Sequence, residues 1–301
     1  MNKLANQNKA YLLALLAIIF WSTMSSAFKL TLRYIEFDQL LLWSSLFGAI
    51  ALLIINQFSK KRLNFKLVTV SQIKASAIMG FFNPFLYYLV LFKAYELLEA
   101  QIAGTLNYTW PIVLVIMSIF FLNQKISVWS IMAIFISFFG IVIISTQGSF
   151  ISLENSSSIG ILLAVGSAFF WAYYWILNMK DDREETGKIF LNLFFGFVYI
   201  LVYLLFTTKL IIFPTGYALI GSIYIGLFEM SITFVIWLMA LTNSSNTAKV
   251  SNLIYLSPFI ALFFIRYTVG EKIHISTFIG LIFIVGGILI QQFLKNRINK
   301  S

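Results

Sequence analysis

The chain has no cysteine, one histidine and four prolines, and only 11% of its 301 residues are charged. Without cysteine there are no disulfides, zinc–thiolate sites, iron–sulfur clusters or thiol nucleophiles. The lone histidine, His274, cannot supply an H-E-x-x-H pair or an intramembrane metalloprotease cluster, so no metal and no cofactor is expected. The only aspartates, Asp38, Asp181 and Asp182, read as loop residues, which leaves no aspartate dyad. A serine in an apolar helix without a histidine partner is no hydrolase nucleophile. There is no G-x-x-x-x-G-K-[ST] loop for drive by ATP, no arginine series for voltage sensing and no T-V-G-Y-G filter. The enzyme classes are left without their chemistry.

What is present is grease. Hydrophobic residues make up 60% of the chain and aromatics 18%, and the mean hydropathy is +0.91. A soluble chain is about 25% charged, and about a quarter of a soluble protein's unfolded surface stays wet after folding at this size. The solvent for most of these side chains must therefore be lipid. The net charge of +10 does not indicate nucleic acid here, because lysine and arginine collect in cytoplasmic loops of membrane proteins. Charges punctuate the apolar runs into ten spans of roughly 20 residues: 10–28, 40–58, 75–92, 100–122, 129–146, 159–179, 189–208, 217–241, 247–265 and 276–294. Each is predicted to be an α-helix, since a helix satisfies its own backbone in lipid. The runs are too long and too uniformly apolar for barrel strands. The first lacks a small-x-small cleavage site and reads as a span, not a removable signal. With a cytoplasmic amino end, 14 of the 21 basic residues fall inside and 6 outside, with Lys249 in a span. Both termini are therefore expected in the cytoplasm. The loops are too short for a soluble domain.

The chain repeats itself. "LNYTWP" (106–111) and "LIYLSP" (253–258) align at an offset of 147, which also carries Lys125-Ile126 onto Lys272-Ile273 and Gly140 onto Gly287. "AIIFWST" (17–23) meets "SAFFWAY" (167–173) at 150, and an offset of 146 takes Gly80 onto Gly226 and Ala94 onto Ala240. The expected fold is an all-α membrane protein of ten transmembrane helices in two five-helix repeats, residues 1–150 and 151–301. An odd number of spans starts the second repeat on the opposite face, which is the inverted-repeat plan of secondary transporters. Pro84, Pro111 and Pro258 fall inside spans, where each withholds a donor from a carbonyl one turn back. Interrupted segments at matching places in two halves point to a transporter's binding site.

Glu229 lies near the middle of the eighth span, where an ionisable side chain is a functional hypothesis by default. The residues leave three roles open for it: a solute ammonium, a coupling proton, or a pair with Lys249, which could equally snorkel to the surface. The further candidates for binding solute are Asn83 and Asn107, next to prolines, and Tyr87, Tyr108, Trp110 and Tyr255, which share the broken segments. Trp21 and Trp171 occupy matching places in the first span of each repeat. Glu96 and Glu99 read as solvated helix-end charges, and His274 as an interface residue.

These features together resemble the drug/metabolite transporter superfamily in its ten-helix EamA form. "FWSTM" (20–24), "NYTWP" (107–111) and "LNQK" (122–125) are similar to the YddG-like amino-acid exporter subgroup. "FEMSITFVIWLMAL" (228–241), "TAKVSNLIYLSPF" (247–259) and "GEKI" (270–273) are similar to the second repeat of bacterial permeases. The resemblance implies a multi-pass protein of the cell inner (plasma) membrane. It also implies a central cavity formed mainly by the first, third, fourth, sixth, eighth and ninth spans. The function expected is export of small metabolites such as amino acids by alternating access, and no enzymatic activity. The alternatives are a proton-independent facilitator of another small organic solute, or a membrane scaffold or lipid-modifying protein. The expected partners are a small-molecule substrate and the lipid bilayer, with proton coupling as a candidate and no nucleic acid. The chain would act as a monomer or a homodimer.

Overall fold

The computed structural model describes residues 7–58, 68–122, 128–145, 157–179, 181, 183–207, 210–243 and 252–298. Lys249 lies outside these residues, as does the side chain of Pro111. All regular structure among the described residues is helical. In chain order the helices are α1 (Gln7–Thr31), α2 (Phe37–Phe58), α3 (Val70–Gly80), α4 (Tyr87–Leu97), α5 (Ala100–Asn107), α6 (Trp110–Leu122), α7 (Val128–Ser145), α8 (Ser158–Met179), α9 (Glu185–Phe206), α10 (Gly216–Phe228), α11 (Ile232–Asn243), α12 (Ser257–Phe264) and α13 (Ile275–Ile298). A π-helical turn, Phe81–Leu86, links α3 to α4; a 3₁₀ turn, Asn252–Leu256, precedes α12, and a second π turn, Ile265–Val269, follows it.

Two compact units result, each drawing on both halves of the chain. The first holds Met1–Phe85 and Asp182–Val269, and the second Leu86–Asp181 and Gly270–Ser301. Among the described residues, six helices are long and apolar enough to cross a membrane: Gln7–Thr31, Phe37–Phe58, Val70–Leu97, Ser158–Asn178, Thr186–Phe206 and Gly216–Trp237. Shorter apolar helices cover Phe135–Ile144, Leu253–Val269 and Ile275–Ile290. The fourth predicted span is cut into α5 and α6.

Local chemistry sets the helix ends. Thr69 and Gln72 form a capping box at α3: the Gln72 amide donates to Thr69 Oγ1 at 3.3 Å, and the Thr69 amide donates to Gln72 Oε1 at 3.0 Å. Glu184 caps α9 by accepting from the Gly187 amide at 2.9 Å. Gly270, ahead of α13, has φ +82°, a conformation that side chains with a Cβ rarely adopt.

The helix surfaces are those of a protein in lipid. On α1, Leu12, Leu15, Leu16 and Ile19 form an exposed apolar stripe, whereas Ala10, Ala14 and Ala17 are fully buried. Small residues at four-residue spacing let backbones approach closely where lipid removes any hydrophobic drive between helices. Ala10 and Ala14 accordingly pack on Ala240 of α11.

Within the first unit one helix crossing is built twice. A Cβ placed on Gly80 of α3 would meet the Asn192 carbonyl of α9 at 2.4 Å and the Gly196 amide at 2.9 Å. A Cβ on Gly226 of α10 would meet the Ser44 carbonyl of α2 at 2.5 Å and the Gly48 amide at 2.9 Å. The correspondence continues in the facing direction: Gly196 looks onto the Pro84 ring, and Gly48 looks onto Cβ of Met230. Gly80 and Pro84 map onto Gly226 and Met230 at an offset of 146, and Ser44 and Gly48 map onto Asn192 and Gly196 at 148. In the second unit α7 and α13 cross at Gly140 and Gly280, where Ser137 Oγ donates to the Ile284 carbonyl at 3.3 Å. An offset of 147 maps Ser137 onto Ile284.

Candidate functional site

The third, fourth, eighth and ninth apolar runs are each interrupted, and the interruptions fall in register. In the third, Asn83 is extended (φ −147°, ψ 119°) inside the Phe81–Leu86 turn, and the Asn83–Pro84 peptide bond is cis. In the eighth, α10 stops at Phe228 and α11 starts at Ile232, with Glu229, Met230 and Ser231 in the turn between. No proline makes this second break. Ser231 Oγ lies 2.8 Å from the Gly226 carbonyl and 3.0 Å from that of Leu227, while Thr233 Oγ1 donates to the Phe228 carbonyl at 2.5 Å. Hydroxyls thus satisfy the carbonyls that a broken helix leaves open, as lipid requires. The offset of 146 places Asn83 on Glu229.

The fourth run turns at Tyr108 and Thr109, and Thr109 Oγ1 donates to the Leu106 carbonyl at 2.8 Å. Pro111 is the second residue of α6, and Pro258 stands in the first turn of α12 after the 3₁₀ turn. Both prolines were expected to sit mid-helix and strip a carbonyl of its donor. They instead open a new helix, where the missing amide costs nothing because first-turn amides have no partner in the helix. The break precedes the proline and carries Tyr108 in one repeat and Tyr255 in the other.

Within the second unit the structure gathers four of the predicted residues. The Tyr87 hydroxyl donates to Asn107 Oδ1 at 3.1 Å, and Asn107 Nδ2 donates to Ser167 Oγ at 2.9 Å. Ser167 in turn donates to the Ala164 carbonyl at 2.7 Å. The Tyr87 ring lies 4.8 Å from that of Trp171, and Trp110 meets Trp171 edge-on at 6.5 Å. Trp171 stacks on Tyr174 at 5.9 Å and meets Trp175 edge-on at 5.9 Å. A single carboxamide therefore bridges α4, α5 and α8, beside a wall of indole and phenol rings. Such a site combines broad apolar contact with a few fixed polar groups, which suits an organic solute.

The first unit holds the counterpart. Trp21 packs against Phe234 at 5.6 Å and Trp237 at 5.5 Å. Ser22 Oγ lies 2.6 Å from the Ile18 carbonyl and 3.1 Å from both the carbonyl and the hydroxyl of Ser257. Thr23 and Tyr224 share a hydrogen bond of 2.8 Å. In each unit a polar contact thus ties a long helix, α1 or α8, to an interrupted run, at Ser257 or Asn107. Glu229 and Tyr108 are half-buried; Tyr255, Asn83, Pro84 and Pro258 are buried. Lys249 is outside the described residues, so its pairing with Glu229 is not part of this geometry.

Ser167, Ser257, Tyr224 and Trp237 were missed from sequence. Ser167 carried a usable signal, since it precedes Trp171 by four residues and so shares its helix face. The others reach across elements far apart in the chain, and no local pattern marks them.

The "GEKI" stretch finds a structural role at the start of α5. Glu271 accepts from the Ala100 amide at 2.8 Å and the Gln101 amide at 3.2 Å, putting a carboxylate on a helix N-terminus. Gln101 is fully buried; it donates to the Lys272 carbonyl at 3.0 Å and accepts from the His274 amide at 3.0 Å. Glu99, read from sequence as a solvated charge, lies 3.1 Å from His274 Nε2, with both side chains partly exposed.

Comparison with known proteins agrees with this architecture. The pattern of the EamA-like transporter family matches residues 8–146 and again 158–291. An uncharacterized transporter of Clostridium kluyveri is 26% identical over 97% of this chain and 95% of its own length. The uncharacterized transporter YoaV of Bacillus subtilis is 26% identical over 83% of this chain and 85% of its own. One solved crystal structure shares the fold, with a TM-score of 0.65 at 17% identity, covering 97% of this chain and 99% of that one.

Proposed function

The chain belongs to the EamA-like transporter family, within the drug/metabolite transporter superfamily, and on that premise we propose that it is a secondary transporter exporting small metabolites, amino acids among them, across the bacterial inner membrane by alternating access. The observation that carries this reading is the register of the four breaks: Asn83 with Glu229, and Tyr108 with Tyr255. Backbone interrupted at membrane depth is tolerated where protein or a wet pathway satisfies it, and paired interruptions are the mark of a transport site. We read residues 1–150 and 151–301 as two inverted five-helix repeats and the whole as ten spans with both termini cytoplasmic. The reciprocal glycine crossings and the double family match support that reading.

In this mechanism the solute's apolar part lies against Trp171, Tyr87 and Trp110, and its polar groups meet Asn107 and the neighbouring break at Tyr108. Rearrangement at the breaks then opens the same residues to the other face. The work is binding and release; no bond is made or broken, and the chain is not an enzyme. Reconstituted protein is expected to exchange radiolabelled amino acids across liposomes loaded with unlabelled solute, and Trp171→Ala is expected to lower that exchange at least about tenfold, the scale of a lost aromatic anchor. Absence of exchange across a broad metabolite panel would remove the transport reading in favour of a scaffold or lipid-modifying role. Exchange that does not change between pH 5 and 8 would select the proton-independent facilitator.

A further inference from the structure

We infer that the indole N–H of Trp175 reads an uncharged oxygen acceptor (a carbonyl, amide or ether) at the far end of the transported solute; this inference rests on the transport reading above and adds one feature of the solute to it. The indole is a donor without an acceptor. Trp175 Nε1 is buried and has no hydrogen-bond partner among the described residues. A buried tryptophan usually finds one, and a buried donor left unmet carries the full cost of its desolvation. The ring itself is held by Trp171, edge-on at 5.9 Å, and by Tyr174 at 6.4 Å. A ring face is a weaker acceptor than an oxygen lone pair, so these contacts fix the indole without satisfying it. Nor does Trp175 behave as a tryptophan of an interfacial belt, whose N–H would reach headgroups or water.

Position ties this donor to the solute. Ser167, Trp171 and Trp175 recur every four residues on α8 and so share one face. Ser167 accepts from the Asn107 carboxamide at 2.9 Å, and Trp171 carries the rings of Tyr87 and Trp110. Trp175 stands at the other end of this wall, about 12 Å beyond Ser167 at about 1.5 Å of rise per residue. The hydroxyl hydrogens of the wall are already committed: Tyr87 donates to Asn107 Oδ1, and Ser167 to the Ala164 carbonyl. An offset of 150 places Ser25 of α1 on Trp175. The repeat architecture therefore does not require an indole at this position.

The chemistry of the partner follows from the donor. An indole N–H donates and cannot accept, so the matching group is an acceptor and an ammonium has nothing to offer it. The indole is also uncharged. Pairing it with a carbonyl, amide or ether oxygen buries no net charge, whereas a carboxylate would bring a charge that one indole N–H does not balance. The solute that fits has its polar head at Asn107, its apolar body on Trp171 and an uncharged oxygen at Trp175.

The test uses the full chain in nanodiscs at pH 7 and four phenylalanines that differ only at the para position: acetyl, isopropyl, carboxylate and aminomethyl. Acetyl and isopropyl have nearly the same shape, and only acetyl accepts a hydrogen bond. Titration is expected to show the acetyl compound bound about threefold to tenfold more tightly than the isopropyl one. Replacing Trp175 by β-(3-benzothienyl)alanine keeps the ring shape and puts sulfur where the N–H was. It is expected to erase the preference while affinity for the isopropyl compound stays constant; Trp175→Phe is expected to erase it as well. Because the N–H has no acceptor in the solute-free protein, the benzothienyl variant is expected to unfold at the parent's temperature or above it. A lower midpoint would assign the N–H to a structural hydrogen bond and overturn the inference. Equal affinity for acetyl and isopropyl in the parent also overturns it, as does a preference that survives the benzothienyl exchange or tightest binding of the carboxylate or aminomethyl compound. Liposome flux separates the two levels: exchange of the acetyl and isopropyl compounds without preference leaves the transport reading standing and removes this one, whereas Trp175-dependent binding without flux does the reverse.

Discussion

Placing one methyl group at residue 196 tests the doubly built crossing directly. A Cβ on Gly196 would lie 2.3 Å from both Cδ and Cγ of Pro84, whereas carbon atoms pack best at about 3.5–4.0 Å. The pyrrolidine ring has no rotamer into which it can swing, so the helices must separate by about 1 Å or more. Overpacking of this kind costs about 1–3 kcal/mol. Gly166→Ala on α8 supplies the control, because a Cβ there meets nothing within 4 Å. Both substitutions share the gain of about 0.5–1 kcal/mol from replacing glycine in a helix, so their difference isolates the clash. Gly48→Ala falls between them, since its Cβ would lie 2.9 Å from the Gly226 carbonyl and 3.0 Å from Leu193 Cδ2. At about 2 °C per kcal/mol for a chain of this size, the unfolding midpoint of Gly196→Ala in detergent is expected to fall about 2–6 °C below that of Gly166→Ala, with Gly48→Ala between. Equal midpoints for Gly196→Ala and Gly166→Ala would refute the close approach of α3 and α9 and, with it, the reciprocal crossing.

Two further outcomes follow from named contacts. Asn107→Ala removes the bridge between Tyr87 and Ser167; interhelical hydrogen bonds in membranes contribute about 0.6 kcal/mol on average and up to about 1.7, so thermal unfolding should move by no more than a few degrees while solute exchange falls much further. Glu271→Ala strips two amides at the start of α5 of their acceptor, a loss of about 0.5–2 kcal/mol on the scale of helix caps. Glu271→Gln, which keeps one acceptor oxygen, should recover part of it in the same melting assay.

The class of the fold was legible because lipid leaves few options: apolar runs between charges become helices whatever else they do. The chain breaks at Tyr108 and ahead of Pro258, inside the paired tyrosine–proline stretches. What the prolines do there was misjudged. Withheld amides suggest kinks inside a continuous helix, but a break just ahead of the proline places it in a first turn at no cost. The break at Glu229 escaped notice because serine and threonine hydroxyls perform it, and hydroxyl-rich stretches read equally well as helix packing. Nor could sequence assemble the cluster on Trp171. Tyr87, Asn107 and Ser167 lie on three helices, and only their folding against one another turns a carboxamide into a bridge.

The absence of cysteine makes the central claim open to one clean measurement. A single cysteine at Tyr108, the half-buried residue in the turn between α5 and α6, can be probed with a membrane-impermeant maleimide in right-side-out and inside-out vesicles. Alternating access predicts labelling from both faces, with solute changing the two rates in opposite directions. Labelling confined to one face under every condition would contradict it.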